Sequence, residues 1–183
     1  MQRAVRLEKK DLIEIELENG AVLPEKPEHY THLRGNILVP KTHPVIAFRG
    51  AVDNLQAQLL LAQAALPKAM QPKLGEILTL ARNLIRWEVL QEPARFSTLL
   101  GLTEQQLREH SHFPQKYYGV PHFMPERTDG EAMLRLNSAR CAARSAELVA
   151  AHAFGDTRID LLQAMNRISS AIYILMLQLK KEQ

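Results

Sequence analysis

The chain has 183 residues, of which 46% are hydrophobic and 23% charged, with a formal net charge of +3. This length and this balance are typical of a globular protein with one buried core. Because the basic residues are scattered, the charge argues against nucleic-acid binding and favours a small anionic ligand only slightly. No apolar run approaches the roughly 18 residues of a membrane span, and no signal peptide is visible. We therefore expect a cytoplasmic protein.

The cysteine and histidine content argues against a metal centre. A single cysteine, Cys141, excludes an internal disulfide and any metal site built from several cysteines. The seven histidines include no pair at the four-residue spacing typical of zinc ligands on a helix. The sequence therefore predicts no metal site.

The N-terminal region has the signals of a β-hairpin. Apolar residues alternate with glutamates over 13–17, and Asn19-Gly20 is a strong turn sequence. We therefore predict a hairpin over 4–23. The following segment, 24–43, contains three prolines and one glycine and is predicted to be an irregular loop.

Two long helices are predicted next. The first, over 44–66, starts at Pro44 and ends before Pro67, and the second, over 72–91, stops before Pro93. Apolar residues recur every three or four positions in both. The first set is Val45, Phe48, Val52, Leu55, Leu59, Ala62 and Leu66, and the second is Leu74, Ile77, Leu78, Ala81, Leu84, Ile85 and Leu90.

Three further helices complete the prediction. A short one begins at Thr103, which forms a capping-box pattern with Gln106. An alanine-rich helix spans 130–154 and is ended by Gly155, and an apolar helix covers 159–179.

Short links between these helices predict antiparallel neighbours. The expected fold is all-α: an up-down bundle of four to five helices with a small N-terminal β-hairpin and irregular segment. We assign residues 1–40 to that N-terminal segment and residues 41–183 to the helical-bundle domain.

Two polar stripes lie on the last two helices. On the apolar final helix the polar residues with helical spacing are Asn166, Ser169, Ser170 and Tyr173. The preceding helix presents Arg140, Arg144 and Glu147 on one face. Polar groups on a largely apolar helix must be solvated, paired or used to bind a ligand. The arginines could form a solvated face with an intrahelical ion pair, or their forked donors could bind a polyphosphate.

Four short motifs carry a resemblance to a known family. They are Lys41-x-x-Pro44, Gly50-x-Val52-Asp53, Arg140-x-x-x-Arg144-x-x-Glu147 and Asn166-Arg167-Ile168-Ser169. In this order, and over residues 31–180, the chain resembles the helical-bundle ATP:cob(I)alamin adenosyltransferases, and most closely their ethanolamine-utilisation branch.

The resemblance implies an enzyme, a transferase that moves the 5′-deoxyadenosyl group of ATP to reduced corrinoid cobalt. The products would be adenosylcobalamin and tripolyphosphate, with Mg²⁺ on the phosphates. The implied partners are ATP and the corrinoid cobalamin within a homotrimer, without nucleic acid. The implied catalytic residues are Asp53 and Arg140, which would pair across a subunit boundary.

The resemblance also implies two sets of binding residues. The ATP-binding set is Thr31, Gly35, Lys41, Arg140, Arg144, Glu147 and Asn166. The cobalamin-binding set is Phe123, His122 and Met124. Phe123 would lie beneath the corrin, where apolar bulk displaces the lower axial base.

Other roles for these residues stay open on the pattern alone. Asp53 could be a surface carboxylate, Asn166 an amide at a helix contact, and Phe123 an aromatic plug at the bundle end. The family's glycine-rich T-x-x-G-D loop is replaced here by a segment with one glycine, Gly35, and no aspartate. The alternative function is therefore a non-catalytic corrinoid carrier or interaction protein with a degenerate ATP loop.

Overall fold

The computed structural model describes residues 15–18, 20–23 and 25–182. Its strands are β1 (Ile15–Leu17), β2 (Val22–Leu23), β3 (Tyr30–Arg34) and β4 (Ile37–Pro40). Its α-helices are α1 (Pro44–Ala65), α2 (Gln71–Leu90), α3 (Glu104–His112), α4 (Pro114–Tyr118), α5 (Gly130–Phe154) and α6 (Ile159–Lys181). A 3-10 turn at Arg127–Asp129 leads into α5. The predicted all-α class with a small β segment is confirmed.

The helix boundaries follow from local sequence signals. Pro44 occupies the first turn of α1, where its missing N–H costs nothing, and the His43 side chain accepts from the Val45 N–H at 3.2 Å. Thr103 and Gln106 form the predicted capping box of α3. The apolar set predicted for α1 is buried throughout. On α2 the last member of the set, Leu90, is 56% exposed, because it lies at the helix end.

The four long helices form a ring in which α1 and α6 each contact both α2 and α5. Phe48 packs edge-on against Phe154 at 5.0 Å, and the Ser138 hydroxyl donates to Gln58 at 2.9 Å, so α1 and α5 run antiparallel. The predicted up-down bundle is therefore confirmed. In the described part of the chain, no helix has the length and apolar character needed to cross a membrane.

The prediction of an irregular loop over 24–43 is wrong. Strands β3 and β4 form an antiparallel hairpin that turns at Gly35, where φ is +51°. Strand β4 also pairs in parallel with β1, which gives the sheet order β2-β1-β4-β3. Pro40 ends β4 and Pro27 lies in the connection before β3, so these prolines mark borders without preventing strands. The predicted hairpin is present in part as β1 and β2, and residues 4–14 lie outside the described residues.

Arg49 fastens the sheet to the bundle. Its Nε donates to the buried Glu88 carboxylate at 2.7 Å, and its Nη2 donates to the Leu33 carbonyl of β3 at 2.7 Å. Leu33 and Val39 belong to the same buried cluster as the helices. The sheet therefore packs on the bundle core, and the division at residue 40 stays a prediction.

Candidate functional site

An open cavity of about 510 Å³ lies between α5, α6 and the segment that connects α4 to α5. It brings together six of the predicted site residues: His122, Phe123, Met124, Arg140, Arg144 and Asn166. One side of the cavity is cationic, and the other is aromatic. These two sides are built by different elements.

The cationic side comes from α5. The half-buried Arg140 donates from Nε and Nη2 to the Asn137 amide oxygen at 3.3 and 3.1 Å. Neither Arg140 nor Arg144 forms an ion pair with any residue that the structure describes. The intrahelical pairing with Glu147, left open by the sequence, is therefore not made. Two uncompensated guanidiniums one helical turn apart form a binding surface for an anion.

The carboxylate of Glu147 is used elsewhere, because it accepts from the Asn166 amide nitrogen at 2.7 Å. The amide oxygen of Asn166 accepts in turn from Arg167. The first contact joins α5 to α6, and the two together fix which way the amide faces. The hydroxyls of Ser169 and Ser170 donate back to the Asn166 carbonyl at 3.1 and 3.3 Å, so their oxygens can still accept.

The aromatic side is centred on Tyr173 of α6. The His122 ring lies parallel to it at 5.9 Å, with an interplanar angle of 7°, and the Phe123 ring lies 6.2 Å away. The guanidinium carbon of Arg140 lies 5.9 Å from the Tyr173 ring centre. Burial raises the pKa of Tyr173, which the charge of Arg140 partly opposes, so the phenol keeps its proton at neutral pH.

His122 is oriented by two contacts. Its Nε2 lies 3.3 Å from the His112 carbonyl, which can only accept, so this nitrogen carries the proton of the neutral ring. Its Nδ1 then accepts from the Tyr173 hydroxyl at 3.1 Å. Phe123 is half-buried beside this pair, whereas Met124 is 82% exposed at the cavity mouth. The segment that connects α4 to α5 thus presents two aromatic rings to the cavity, with the flexible thioether of Met124 at its edge.

Five predicted residues do not line this cavity, and one of them, Glu147, is linked to it only through its hydrogen bond with Asn166. Thr31 pairs with Val39 within the sheet, and Gly35 forms the β3–β4 turn. Lys41 forms an exposed ion pair with Glu28 at 3.1 Å. Asp53 lies exposed on α1 and accepts from the Gln56 amide at 3.4 Å.

Five lining residues were not among the predicted site residues: Ser111, His112, Ser169, Ser170 and Tyr173. The last three follow Asn166 on the polar stripe of α6, so that stripe carried the signal for them. Ser111 and His112 end α3, and no local pattern marks them as cavity residues. Only the packing of α3 on α6 places them there.

One family model and two individual proteins match most of this chain. The model of the family described as cobalamin adenosyltransferase matches residues 22–179. The chain is 34% identical over 158 residues to the corrinoid adenosyltransferase EutT of Salmonella typhimurium strain LT2, and equally to EutT of Escherichia coli strain K12. Each alignment covers 84% of this chain but 59% of the relative. The chain thus spans about three fifths of the length of these relatives.

Proposed function

The chain belongs to the cobalamin adenosyltransferase family, and on that premise we propose that it transfers the 5′-deoxyadenosyl group of ATP to the cobalt of a reduced corrinoid. One observation carries the proposal: unpaired arginines and a stacked aromatic cluster face each other across one cavity. The arginines suit a triphosphate, and the aromatic cluster suits the flat, largely apolar face of a corrin.

For this reaction the protein has to bind the two substrates and stabilise the charge that develops. Cobalt(I) supplies the electron pair that attacks C5′ of ATP, and the C5′–O bond breaks as the cobalt–carbon bond forms. Tripolyphosphate leaves with the electrons of the broken bond. The metal is itself the nucleophile, so no activated serine or cysteine is required. Negative charge grows on the leaving group, where Arg140 and Arg144 would stabilise it.

Asn166 would orient the nucleotide, because Glu147 and Arg167 hold its amide in one direction. Mg²⁺ would be carried in by the phosphate oxygens, since no group of three metal-ligating side chains occurs among the described residues. On the other side, Phe123, His122, Met124 and Tyr173 would contact the corrin and exclude water from cobalt.

The remaining predicted residues would reach the site from a neighbouring subunit. Asp53 is exposed and has only a weak contact to Gln56, while Arg140 has no carboxylate partner among the described residues. A pair between Asp53 of one subunit and Arg140 of the next would satisfy both. We therefore propose a homotrimer with shared sites, in which Thr31, Gly35 and Lys41 would also approach the ATP of the adjacent subunit. A cytoplasmic location would suit this protein, whose single cysteine is free.

The test is a turnover assay with ATP, Mg²⁺ and cobalamin in the presence of a chemical reductant. We expect the cob(I)alamin spectrum to be replaced by that of a light-sensitive cobalt–alkyl product, with one tripolyphosphate released per cobalt. Binding of both substrates without this product would overturn the catalytic proposal.

One observation favours the alternative of a non-catalytic corrinoid carrier. Thr31, Gly35 and Lys41 lie away from the cavity, and Lys41 already has a carboxylate partner in Glu28. A carrier would bind cobalamin with the same affinity whether or not ATP is present. The proposed enzyme would bind the two substrates together and turn them over.

A further inference from the structure

Glu88 of α2 is the one charged residue that is fully buried among those the structure describes, with 1% of its surface exposed. Its Oε2 accepts from the Nε of Arg49 on α1 at 2.7 Å, and its Oε1 has no hydrogen-bond partner in the described part of the chain. A buried ion pair with one oxygen unsatisfied contributes little to stability, because well-packed apolar side chains would serve as well. What the pair does fix is the direction of the Arg49 guanidinium.

The other end of that guanidinium holds an irregular place in the sheet. The register of β3 and β4 shifts between His32 and Arg34, so Leu33 is the extra residue of a β-bulge. A bulge interrupts the ladder, and its backbone groups need other partners. Arg49 supplies one, because its Nη2 donates to the Leu33 carbonyl at 2.7 Å and its Nη1 to the His32 carbonyl at 3.4 Å. The rigid fork of an arginine allows it to hold the carboxylate and both carbonyls at once.

The place of this clamp connects it to the residues proposed to reach a neighbouring subunit. The bulge at Leu33 lies two residues after Thr31 and two before Gly35. On α1, Arg49 precedes Asp53 by four residues, which is about one helical turn. Arg49 therefore ties the β3–β4 hairpin to the helix that carries Asp53.

We propose that Arg49, oriented by Glu88, is a positioning residue for ATP, which fixes the bulged hairpin on α1 before the nucleotide arrives. The inference rests on the proposed function, which brings this hairpin to the ATP of the adjacent subunit. A binding surface that is already ordered loses less entropy when its ligand binds. Neither Arg49 nor Glu88 lines the cavity, so both act through the hairpin backbone. The corrin side is built by α6 and the α4–α5 connection, so the effect is specific to ATP.

The test requires variants that release the hairpin without unfolding the chain. Arg49→Ala alone leaves a buried carboxylate unpaired and is expected to destabilise the whole protein. The double variant Arg49→Met with Glu88→Leu replaces the pair by apolar side chains and should keep its stability towards urea, while the bulge carbonyls lose their donor. Arg49→Lys is a second variant, since one ammonium beside Glu88 cannot also span both carbonyls.

Calorimetry should show that both variants raise the Kd for ATP about tenfold, as for the loss of one charge-assisted contact, and leave the Kd for cobalamin unchanged. Glu88→Gln should retain the wild-type affinity for ATP, because its amide oxygen can still accept from Arg49. Arg86→Met is the matched control, since it removes an exposed arginine of α2 that pairs with Glu92 at 3.2 Å. An unchanged Kd for ATP, or equal losses of affinity for both ligands, would overturn the positioning role.

Hydrogen exchange separates this proposal from the proposed function. The amides of β3 and β4 should exchange faster in the double variant than in the wild type, because the hairpin opens more often. If the Arg49 variants lose affinity for ATP but the wild type never adenosylates a corrinoid, the catalytic proposal fails and the positioning role stands. If the wild type is active and the variants free the hairpin without weakening ATP, the proposed function stands and the positioning role is wrong.

Discussion

Arg140 illustrates how one side chain can be ordered without being neutralised. Its two nitrogens contact the Asn137 amide oxygen, and its guanidinium lies over the edge of the aromatic cluster at Tyr173. Both partners are uncharged, so they orient the group but leave its positive charge available. A charged group held in place before the ligand arrives needs little rearrangement when charge develops on that ligand.

Arg140→Ala should therefore lower turnover much more than stability. Loss of one charge-assisted contact to the triphosphate costs about 1.5–3 kcal/mol, which corresponds to a roughly 10- to 150-fold lower kcat/KM. The free energy of unfolding should change by less than about 1 kcal/mol, because the hydrogen-bonded pair that is lost joins two side chains three residues apart on one helix. Steady-state kinetics and chemical denaturation measure the two effects.

Arg135→Ala is the matched control on the same helix. Arg135 forms an exposed ion pair with Glu131 at 3.3 Å and lies outside the cavity. Its loss should leave kcat/KM unchanged within about twofold, as is usual for a surface ion pair. If Arg140→Ala behaves like Arg135→Ala, Arg140 does not bind phosphate.

At the scale of elements, the connection between α4 and α5 adds His122 and Phe123 to the aromatic side of the cavity. The Phe123 ring lies 6.2 Å from the Tyr173 ring, and the Lys180 ammonium lies 5.8 Å from its ring centre. If this ring lies against the lower face of the corrin, it displaces the axial base. Cobalt(II) without that base accepts an electron more readily, because no axial lone pair raises the energy of its acceptor orbital.

Phe123→Ala should then lower kcat for cobalamin more than for cobinamide, which has no tethered lower base. The spectrum of the protein with ATP and cob(II)alamin should also lose its four-coordinate component. Phe113→Ala, which removes an aromatic ring that is 58% exposed and outside the cavity, is the control. Equal losses for the two corrinoids with an unchanged spectrum would show that Phe123 only fills space.

An ion pair holds the start of α6, and it should make the free energy of unfolding depend on pH. Asp160 accepts from Arg158 at 3.0 Å and from the Ala94 N–H at 2.7 Å. These contacts, with Arg158 the larger, lower the pKa of Asp160 to about 2 from an ordinary value of 3.8. Because the folded-state pKa is depressed, the stabilisation is complete above about pH 4 and is lost as pH falls towards 2.

Asp160→Asn should accordingly destabilise the chain by about 1–2 kcal/mol at pH 7. The difference from wild type should be roughly halved at pH 3, as followed by urea denaturation at several pH values. Asp156→Asn changes an exposed carboxylate in the same connection and is the control. A difference that stays constant from pH 7 to pH 3 would contradict the assignment of the stabilising charge to Asp160.

The helices could be predicted from sequence because their information is local. The heptad-like apolar spacing of α1, the capping box at Thr103 and the proline at position 67 each act within a few residues. The β3–β4 hairpin was missed because its strands have four or five residues, and its stability comes from pairing with β1 and packing on the bundle. Such distant partners leave no periodic signal in the strands themselves.

The candidate site was predictable for a related reason. Arg140, Asn166 and Tyr173 each lie on a helix face that could be identified from spacing. Their meeting in one cavity follows once α5 and α6 are antiparallel neighbours. The contributions of Ser111 and His112 depend instead on how the short helix α3 lies across α6, which no pattern in either segment specifies.

For the whole molecule, the exposed faces of α1 and α5 indicate where copies would meet. On α1 the exposed side around Asp53 carries the small or apolar residues Gly50, Ala57 and Leu61. On α5 the exposed residues Leu134, Cys141 and Leu148 recur every seven positions, and Leu148 is 73% exposed. A heptad spacing of exposed apolar residues is typical of a helix that packs against another helix. If the proposed homotrimer forms through these faces, light scattering should give the mass of three chains.

A shared site makes a sharper prediction than mass alone. If Asp53 of one subunit completes the site around Arg140 of the next, Asp53→Ala and Arg140→Ala should each be nearly inactive as pure trimers. After the two variants are mixed and allowed to exchange subunits, some boundaries join an intact Asp53 to an intact Arg140. Part of the activity should then return, whereas mixing Arg140→Ala with Arg144→Ala, which affect the same side of the boundary, should restore none. Full activity in a monomeric fraction, or equal recovery in both mixtures, would rule out a site shared between subunits.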